Sequence, residues 1–389
     1  MKLKHGLHLA YCTNIHRGET WAETFETLRV HTLAVRDQVS PNQPYAIGLR
    51  LGELTARELS DPAVLLQFQR WLDRENCYVF TINGFPYGRF HGDRVKEQVY
   101  APDWTTDARV EYTNRLFDLL SQLVPSGIAG SVSTVPLSFK PFITTQDQVQ
   151  ALGRQVWRTV EHIAKVSEKS GRDLHLGLEP EPLCYLETTA ETVSFFETLR
   201  QDHPNDPRLA RHLGVNYDAC HLAVEYENPA EALGQLKHHG IKVSKLHFSS
   251  ALKVRPNRQR RQALQSFVDR VYFHQVIERF GNGPLKRYSD LDVALAEAPE
   301  FSEDNLPEWR IHFHIPLHSQ PTPLFETTAD HLLGVMDVLQ KDPSLCSHIE
   351  METYTWEVLP SEIKNRNVVH QLVAEYQWAL HQLQNRNLA

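Results

Sequence analysis

The sequence lacks the features that mark membrane and secreted proteins. No stretch approaches the ~18 consecutive apolar residues of a membrane-spanning helix, so none is expected. Residues 1–14 contain only a short apolar run that His5 and His8 interrupt, so we do not expect a signal peptide. The 5 cysteines are odd in number and form no CxxC motif, which favours reduced thiols and a cytoplasmic location.

A strong charge of either sign is also missing. The formal net charge is −8, charged residues make up 23% of the chain and hydrophobic residues 41%, which is typical of an ordinary globular protein. No basic surplus is present that would attract nucleic acid or an anionic membrane surface. We therefore expect a small molecule as the binding partner, whereas a membrane is excluded and nucleic acid is disfavoured.

Strand-like segments alternate with helical segments along the whole chain. The apolar runs cover residues 6–13, 45–52, 78–85, 130–137, 174–182, 213–222, 242–250 and 347–356. Helix signals separate them, including Ser60 or Asp61 as an N-cap before Pro62, and Gly171 after a long amphipathic segment. A final helix is expected from Ser361 onward. These β-then-α units predict an α/β fold, a (β/α)8 TIM barrel formed by residues 1–389 as a single domain.

One segment interrupts the regular alternation. Residues 251–346 lie between the seventh and eighth strands, and residues 252–320 are expected to form an elaborated loop on the C-terminal face of the barrel, because loops of this length usually have a function. Residues 256–280 have the pattern of a basic helix. Residues 309–318 resemble a strand, which places His312 and His314 on one side by their spacing of two.

Potential metal ligands follow the last four barrel strands. Glu179, Asp218, His247 and Glu352 lie where apolar runs become polar. In a TIM barrel the C-terminal ends of the strands converge on one face, so these side chains are expected to meet there. Two or three carboxylates with one imidazole suit Zn²⁺, Mn²⁺, Fe²⁺ or Co²⁺, and too much nitrogen is present for a dedicated Ca²⁺ site.

The residue pattern leaves alternatives for the strand-end carboxylates. Asp218 could instead be a helix N-cap with His221 in the first turn. Glu181 has the same parity as Glu179 and could replace it as a ligand. Glu350 has the same parity as Glu352 and lies two residues deeper in the barrel, so it is either a buried partner of a cation or, in another register of the strand, the ligand in place of Glu352.

The second group of candidates lies around the mouth of the barrel. Asn83 and His91 are expected to line it from the third-strand loop, with Trp104 as an apolar wall. Arg255 lies just after the seventh strand, where it could bind a phosphate or carboxylate of the substrate. The alternative for this arginine-rich segment is a solvated helical face.

His312 and His314 have two interpretations as well. Either they are half-buried strand residues, or they bring further imidazoles to the barrel mouth, where they would form a second metal site with His221.

Short motifs in these segments resemble those of a known superfamily. LEP (178–180), DxxH (218–221), LHF (246–248) and MET (351–353) resemble the xylose isomerase-like TIM-barrel superfamily of sugar isomerases, ketose 3-epimerases, hydroxypyruvate isomerase-like enzymes and endonuclease IV. This resemblance implies a metal held by Glu179, Asp218, His247 and Glu352, with His221 beside it. More narrowly, NGFPYGRFHG (83–92), VYAPDW (99–104) and WRIHFHIPLH (309–318) resemble the EboE-type metabolite traffic proteins. The long insertion after the seventh strand departs from ordinary sugar epimerases.

The sequence therefore predicts a metal-dependent isomerase or epimerase that shifts a proton next to a carbonyl. Its substrate would be a small polyhydroxylated metabolite, sugar-like or phosphorylated. Glu179 and Glu352 would remove and return the proton, and His221 would orient the substrate or hold Asp218. The alternatives are a non-catalytic metabolite-binding or traffic protein on the same barrel, and an endonuclease IV-like phosphodiesterase with two or three metals.

Overall fold

The computed structural model describes residues 1–92, 94–360, 364 and 367–389. Its strands are β1 (His8–Tyr11), β2 (Tyr45–Arg50), β3 (Cys77–Asn83), β4 (Gly130–Thr134), β5 (Leu174–Leu178), β6 (Leu213–Asp218), β7 (Lys242–Phe248), β8 (Ala251–Val254), β9 (Val276–Arg279), β10 (Lys286–Tyr288), β11 (Glu308–His314), β12 (Glu326–Thr327) and β13 (His348–Met351). Its α-helices are α1 (Trp21–Thr27), α2 (Leu33–Val39), α3 (Glu53–Leu59), α4 (Pro62–Arg74), α5 (Asp107–Leu123), α6 (Gln146–Ser170), α7 (Thr189–Asp202), α8 (Pro207–His212), α9 (Ala219–Val224), α10 (Pro229–His238), α11 (Arg258–Leu264), α12 (Leu291–Glu297), α13 (Ala329–Lys341) and α14 (Val368–Gln384).

Eight parallel strands form the central sheet. Their order is β1-β13-β7-β6-β5-β4-β3-β2, and a parallel bridge between Cys12 and Gly48 brings the two edge strands together. The strands are almost entirely buried, because helices cover the outside and side chains fill the inside. The predicted (β/α)8 TIM barrel is therefore confirmed.

The helix boundaries follow from capping residues that the sequence contains. Asp61 accepts hydrogen bonds at the start of α4 with Pro62 in the first position, and Gly171 ends α6 in the left-handed conformation at φ 66°. α14 begins after Asn367, which caps it, whereas Ser361, where this helix was predicted to start, lies outside the described residues. In the part of the chain that the structure describes, no helix is long and apolar enough to cross a membrane.

The insertion after β7 forms a second sheet. Its five strands are antiparallel in the order β10-β9-β11-β8-β12, and they pack with α11 and α12 around apolar side chains such as Leu264 and Trp309. The helix predicted over residues 256–280 is wrong beyond α11. Val276 and Ile277 are instead buried in β9, where pairing with β10 and β11 outweighs the local helical pattern.

A close approach inside the barrel explains the glycine in β2. A Cβ atom on Gly48 would lie 2.1 Å from Glu350 Oε1 and 2.6 Å from the carbonyl oxygen of Tyr11. Because such distances are not possible, the glycine leaves the space that the Glu350 carboxylate occupies.

Candidate metal centre

Four ligand-type side chains meet at the C-terminal ends of β5, β6, β7 and β13. One donor atom from each of Glu179, Asp218, His247 and Glu352 lies within 4.8 Å of the others. His247 Nδ1 is 3.1 Å from Glu179 Oε1, 3.2 Å from Asp218 Oδ2 and 3.1 Å from Glu352 Oε2. None of the four residues is exposed to solvent by more than 4%. Three carboxylates and one imidazole fit Zn²⁺, Mn²⁺, Fe²⁺ or Co²⁺, and the geometry does not select one of them.

Asp218 is the N-cap of α9 and also belongs to the four-residue group. Its Oδ1 accepts a hydrogen bond from the backbone N–H of His221 (2.9 Å), which caps α9, and another from Ser249 Oγ (2.7 Å). Its Oδ2 faces His247. Burial alone would raise the pKa of Asp218, but the neighbouring imidazoles of His221 and His247 hold this pKa well below its usual value.

The two glutamates of the centre differ in their second oxygen. Glu352 Oε1 accepts hydrogen bonds from Asn14 Nδ2 (2.8 Å) and Asn83 Nδ2 (3.2 Å). Glu179 Oε2 is buried and has no hydrogen-bond partner within the described residues. An unpaired buried carboxylate oxygen is costly, so Glu179 has a free acceptor for a cation or a substrate proton.

A buried ion pair holds the imidazole of the centre in place. Glu350 Oε2 accepts hydrogen bonds from His247 Nε2 (2.8 Å) and from Lys245 Nζ (2.7 Å), and none of these side chains is exposed. Since His247 Nε2 donates to Glu350, its Nδ1 is directed at the centre. Burial would raise the pKa of Glu350, but Lys245 lowers it to about 2. The sequence-based interpretation of Glu350 as the partner of a buried cation is thus correct.

Three further imidazoles surround the same mouth. Each donates its Nδ1–H to an oxygen: His221 to the Pro180 carbonyl (3.0 Å), His312 to Gln275 Oε1 (2.7 Å) and His314 to the Glu352 carbonyl (3.1 Å). In the neutral tautomer that this donation defines, their Nε2 atoms are acceptors. They converge, with 3.3 Å between His312 and His314 and 3.4 Å between His314 and His221.

This histidine cluster adjoins the four-ligand centre. Burial lowers the pKa of His221 to about 4, and burial together with His221 and His314 holds the pKa of His312 well below its usual value. Donor atoms of Asp218, His221 and His314 lie within 4.8 Å of one another, and so do those of Cys220, His312 and His314. The structure thus brings His312 and His314 to the barrel mouth, which was one of the two interpretations of the sequence.

A cavity of about 50 Å³ opens directly onto these groups. Its polar side chains are Asn14, Asn83, Glu179, Glu181, His221, His312 and Glu352 at one end; its remaining lining residues are Phe85, Pro86, Phe90, Val95, Lys96, Val99, Tyr100, Tyr272, Phe273 and Tyr354. The insertion supplies Tyr272 and Phe273, so it forms part of the cavity wall.

Glu181 lines the cavity but lies outside the four-ligand group. Its Oε1 accepts a hydrogen bond from Tyr100 OH at 2.6 Å, and burial raises its pKa well above the usual value. The geometry therefore favours Glu179 over Glu181 at the centre.

The predicted substrate contacts have different outcomes. Asn83 lines the cavity. His91 lies behind it, where it donates to the Asn14 carbonyl (2.6 Å) and accepts from Tyr272 OH (2.5 Å).

Two other predicted contacts do not reach the cavity. Trp104 is fully buried in the main hydrophobic core at the start of α5 and does not line the cavity. Arg255 is exposed, because β8 pairs with His314 at Ala251 and then leads away from the mouth along β11.

Sequence reasoning missed the residues that support the centre. Asn14 follows the end of β1 as the ligands follow theirs, so the same rule would have found it. Tyr272 and Gln275 carry no such signal, because the path of the insertion decides their position.

Solved structures of low sequence identity share this fold. A xylose isomerase-like TIM-barrel protein from Mycobacterium smegmatis in complex with magnesium has a TM-score of 0.52 at 11% identity, covering 98% of this chain and 97% of that chain. A D-tagatose 3-epimerase-like protein has a TM-score of 0.51 at 13% identity (97% and 98% covered). The probable 3-DHS dehydratase AsbF from Bacillus anthracis, involved in petrobactin synthesis, has a TM-score of 0.50 at 13% identity (98% and 99% covered).

These similarities define the fold of the chain. No protein-family model matches the sequence, and no curated protein matches it. The similar solved structures show the fold, an α/β TIM barrel, and the resemblance to the xylose isomerase-like superfamily stays a prediction. The narrower resemblance to the EboE-type proteins stays a prediction.

Proposed function

We propose that this protein is a metal-dependent isomerase or epimerase that shifts a proton next to a carbonyl of a small polyhydroxylated metabolite, sugar-like or phosphorylated. The supporting observation is the convergence of Glu179, Asp218, His247 and Glu352 beside a cavity, with Glu179 Oε2 uncommitted. The similar solved structures include proteins named as an epimerase-like protein and a dehydratase, which agrees with small-molecule chemistry on this fold.

The proposed mechanism assigns separate roles to the two glutamates. A divalent ion bound by the four side chains, whether zinc, manganese, iron or cobalt, supplies a Lewis acid for negative charge that develops on the substrate oxygens. Glu179 removes the proton from carbon through its free Oε2. Glu352 lies across the centre as the group that returns a proton, and the amides of Asn14 and Asn83 fix its orientation.

The remaining polar groups position the substrate. His221 lines the cavity and has an unprotonated Nε2, so it accepts a hydrogen bond from a substrate hydroxyl. Asn83 lines the same end of the cavity and limits how the carbonyl side of the substrate approaches Glu352.

A second cation at His221, His312 and His314 is an alternative to this hydroxyl contact, because the one lone pair of His221 Nε2 cannot serve both. Three lone pairs that face one another across 3.3–3.4 Å repel unless a cation or proton lies between them. This observation also favours the second candidate function, a phosphodiesterase of the endonuclease IV type, which would use two or three metals. A non-catalytic metabolite carrier of the EboE type is the third candidate.

The test combines metal counting with proton exchange. Metal-free full-length protein is titrated with Mn²⁺ and Co²⁺, followed by calorimetry and by the visible spectrum of Co²⁺. The loaded protein is then incubated in D₂O with D-fructose and dihydroxyacetone, and deuterium incorporation is read by NMR. We expect ion binding, and exchange that Glu179→Gln abolishes while the circular dichroism spectrum stays unchanged.

The matched control is Glu181→Gln, which changes a neighbouring cavity carboxyl outside the centre and should leave ion affinity intact. Full exchange in Glu179→Gln would overturn the mechanism. Hydrolysis of bis(p-nitrophenyl) phosphate with two or more bound ions would favour the phosphodiesterase. A metabolite that co-purifies unchanged, without exchange, would favour the carrier.

A further inference from the structure

The cavity divides into a polar end and an apolar wall. The groups of the candidate metal centre lie at one end, whereas Phe85, Phe90, Tyr272, Phe273 and Tyr354 belong to the rest of the lining. Phe90, Tyr272 and Tyr354 pack against one another with ring centroids 5.3 Å apart. An open-chain polyol has little apolar surface to place against such a wall, because each of its carbons carries a hydroxyl group and only its C–H bonds are apolar.

Two tyrosine hydroxyls of the cavity lining are already engaged within the protein. Tyr100 OH donates to Glu181 and accepts from Gln275 Nε2 at 3.0 Å. Tyr272 OH donates to His91. The rings of Tyr100 and Tyr272 therefore add apolar surface to the lining, while their hydroxyl groups are committed to protein partners.

Positive charge on the wall is also engaged. Lys96 is the only lysine or arginine among the described residues that line the cavity. Its ammonium group pairs with Asp290 and lies 5.7 Å from the centre of the Phe273 ring. A phosphate held away from the metal centre needs arginine or lysine donors, and this wall offers it none that is uncommitted.

We infer that the substrate is an uncharged compound whose carbonyl and hydroxyl oxygens lie on neighbouring carbons at one edge of a carbocyclic or aromatic ring. The oxygen-bearing edge faces Glu179 and Glu352, and the ring body packs against the aromatic wall. This inference rests on the proposed function. That proposal allows a sugar-like or a phosphorylated substrate, and the inference favours one without a phosphate.

The test compares three hydroxyketones that share the same reacting oxygens. They are 2-hydroxycyclohexanone, hydroxyacetone and dihydroxyacetone phosphate, titrated into Mn²⁺-loaded full-length protein by calorimetry. We expect 2-hydroxycyclohexanone to bind about tenfold tighter than hydroxyacetone, because its extra methylene groups leave water. We expect dihydroxyacetone phosphate to bind no tighter than hydroxyacetone.

Matched variants locate the selectivity in the wall. Phe90→Leu should weaken binding of 2-hydroxycyclohexanone about 3- to 10-fold through loss of ring contact, with little effect on hydroxyacetone. Phe280→Leu changes an exposed phenylalanine outside the cavity and should have no effect.

Each other result overturns the inference. These results are tightest binding by the phosphate compound, ring and open-chain affinities within about twofold, an unchanged affinity in Phe90→Leu, or no binding of the ring compound. If Mn²⁺ itself does not bind, the proposed function fails as well, so the two failures are distinguishable.

Discussion

The two ends of the barrel interior hold similar side chains in different arrangements. At the N-terminal end, three imidazoles bind hydroxyl groups: His8 bonds Tyr78 OH, His175 bonds Ser244 Oγ and His348 bonds Ser131 Oγ. The His175 and His348 rings lie 5.2 Å apart and tilted. At the C-terminal end, the Nε2 atoms of three imidazoles face one another beside the carboxylates.

The difference shows what makes a cluster of polar residues a candidate site. Among the described residues, every group whose donor atoms converge closely enough for a metal lies at the C-terminal end. There, His221 bonds the Pro180 carbonyl, His312 bonds Gln275 and His247 bonds Glu350. Each bond occupies the ring nitrogen that faces the protein and leaves the nitrogen that faces the barrel mouth available. The two ends of the barrel contain similar residue types, and they differ because, in the described part of the chain, donor atoms without a protein partner converge only at the C-terminal end.

Removing one histidine from each end tests this comparison most directly. His247→Ala should lower Mn²⁺ affinity by more than about 100-fold, because the ring is a central member of the four-ligand group. Titration calorimetry on metal-free protein measures the change. His175→Ala, from the opposite end of the barrel, is the control and should leave the affinity within about twofold. Equal losses in the two variants would contradict a metal centre at the mouth.

Breaking the buried Lys245–Glu350 ion pair, which lies between the two ends of the barrel, should have the next largest effect. Glu350→Gln leaves the fully buried Lys245 without its counter-charge, so unfolding free energy in urea should fall by about 3–5 kcal/mol. Mn²⁺ affinity should fall about 10- to 100-fold, because His247 loses the acceptor that orients it.

The double variant separates these two roles. Glu350→Gln combined with Lys245→Met removes both charges and should recover part of the stability without recovering the ion affinity. Wild-type ion affinity in Glu350→Gln would show that Glu350 does not orient His247.

The fold was predictable because local and tertiary preferences agree in most of the chain. Buried parallel strands such as β5 and β6 are short apolar runs, and caps such as Asp61 and Gly171 mark helix ends. Prediction failed in the insertion. The helical pattern around Val276 and Ile277 has to compete with pairing to β10 and β11, which no local pattern indicates.

The candidate site was predictable only where barrel geometry dictates it. Glu179, Asp218, His247 and Glu352 lie at or next to the C-terminal ends of strands, and these ends meet in a barrel. Arg255 follows a strand end in sequence, but β8 carries it away from the mouth. The free oxygen of Glu179 depends on the absence of an amide like the two that hold Glu352, which only coordinates reveal.

The imidazoles at the N-terminal end of the barrel should affect the pH dependence of the unfolding free energy rather than metal binding. Burial, aided by His8 and lysines, lowers the pKa of His348 to about 3, from about 6.5 in the unfolded chain. Above pH 6.5 the His348 side chain is neutral in both the folded and the unfolded chain, so it does not lower the free energy of unfolding. As pH falls below 6.5 the unfolded chain takes up a proton that the folded chain refuses, and at pH 5 the loss reaches about 2 kcal/mol.

His348→Asn removes this linkage, so its unfolding free energy should fall between pH 7 and pH 5 by about 2 kcal/mol less than that of the wild type, measured by urea denaturation at each pH. His370→Asn changes an exposed histidine and serves as the control, with an unaltered pH dependence expected. Identical curves for His348→Asn and the wild type would mean that His348 accepts a proton inside the folded barrel. The imidazoles at the N-terminal end would then take up protons in the folded state, and the contrast between the two ends of the barrel would no longer hold.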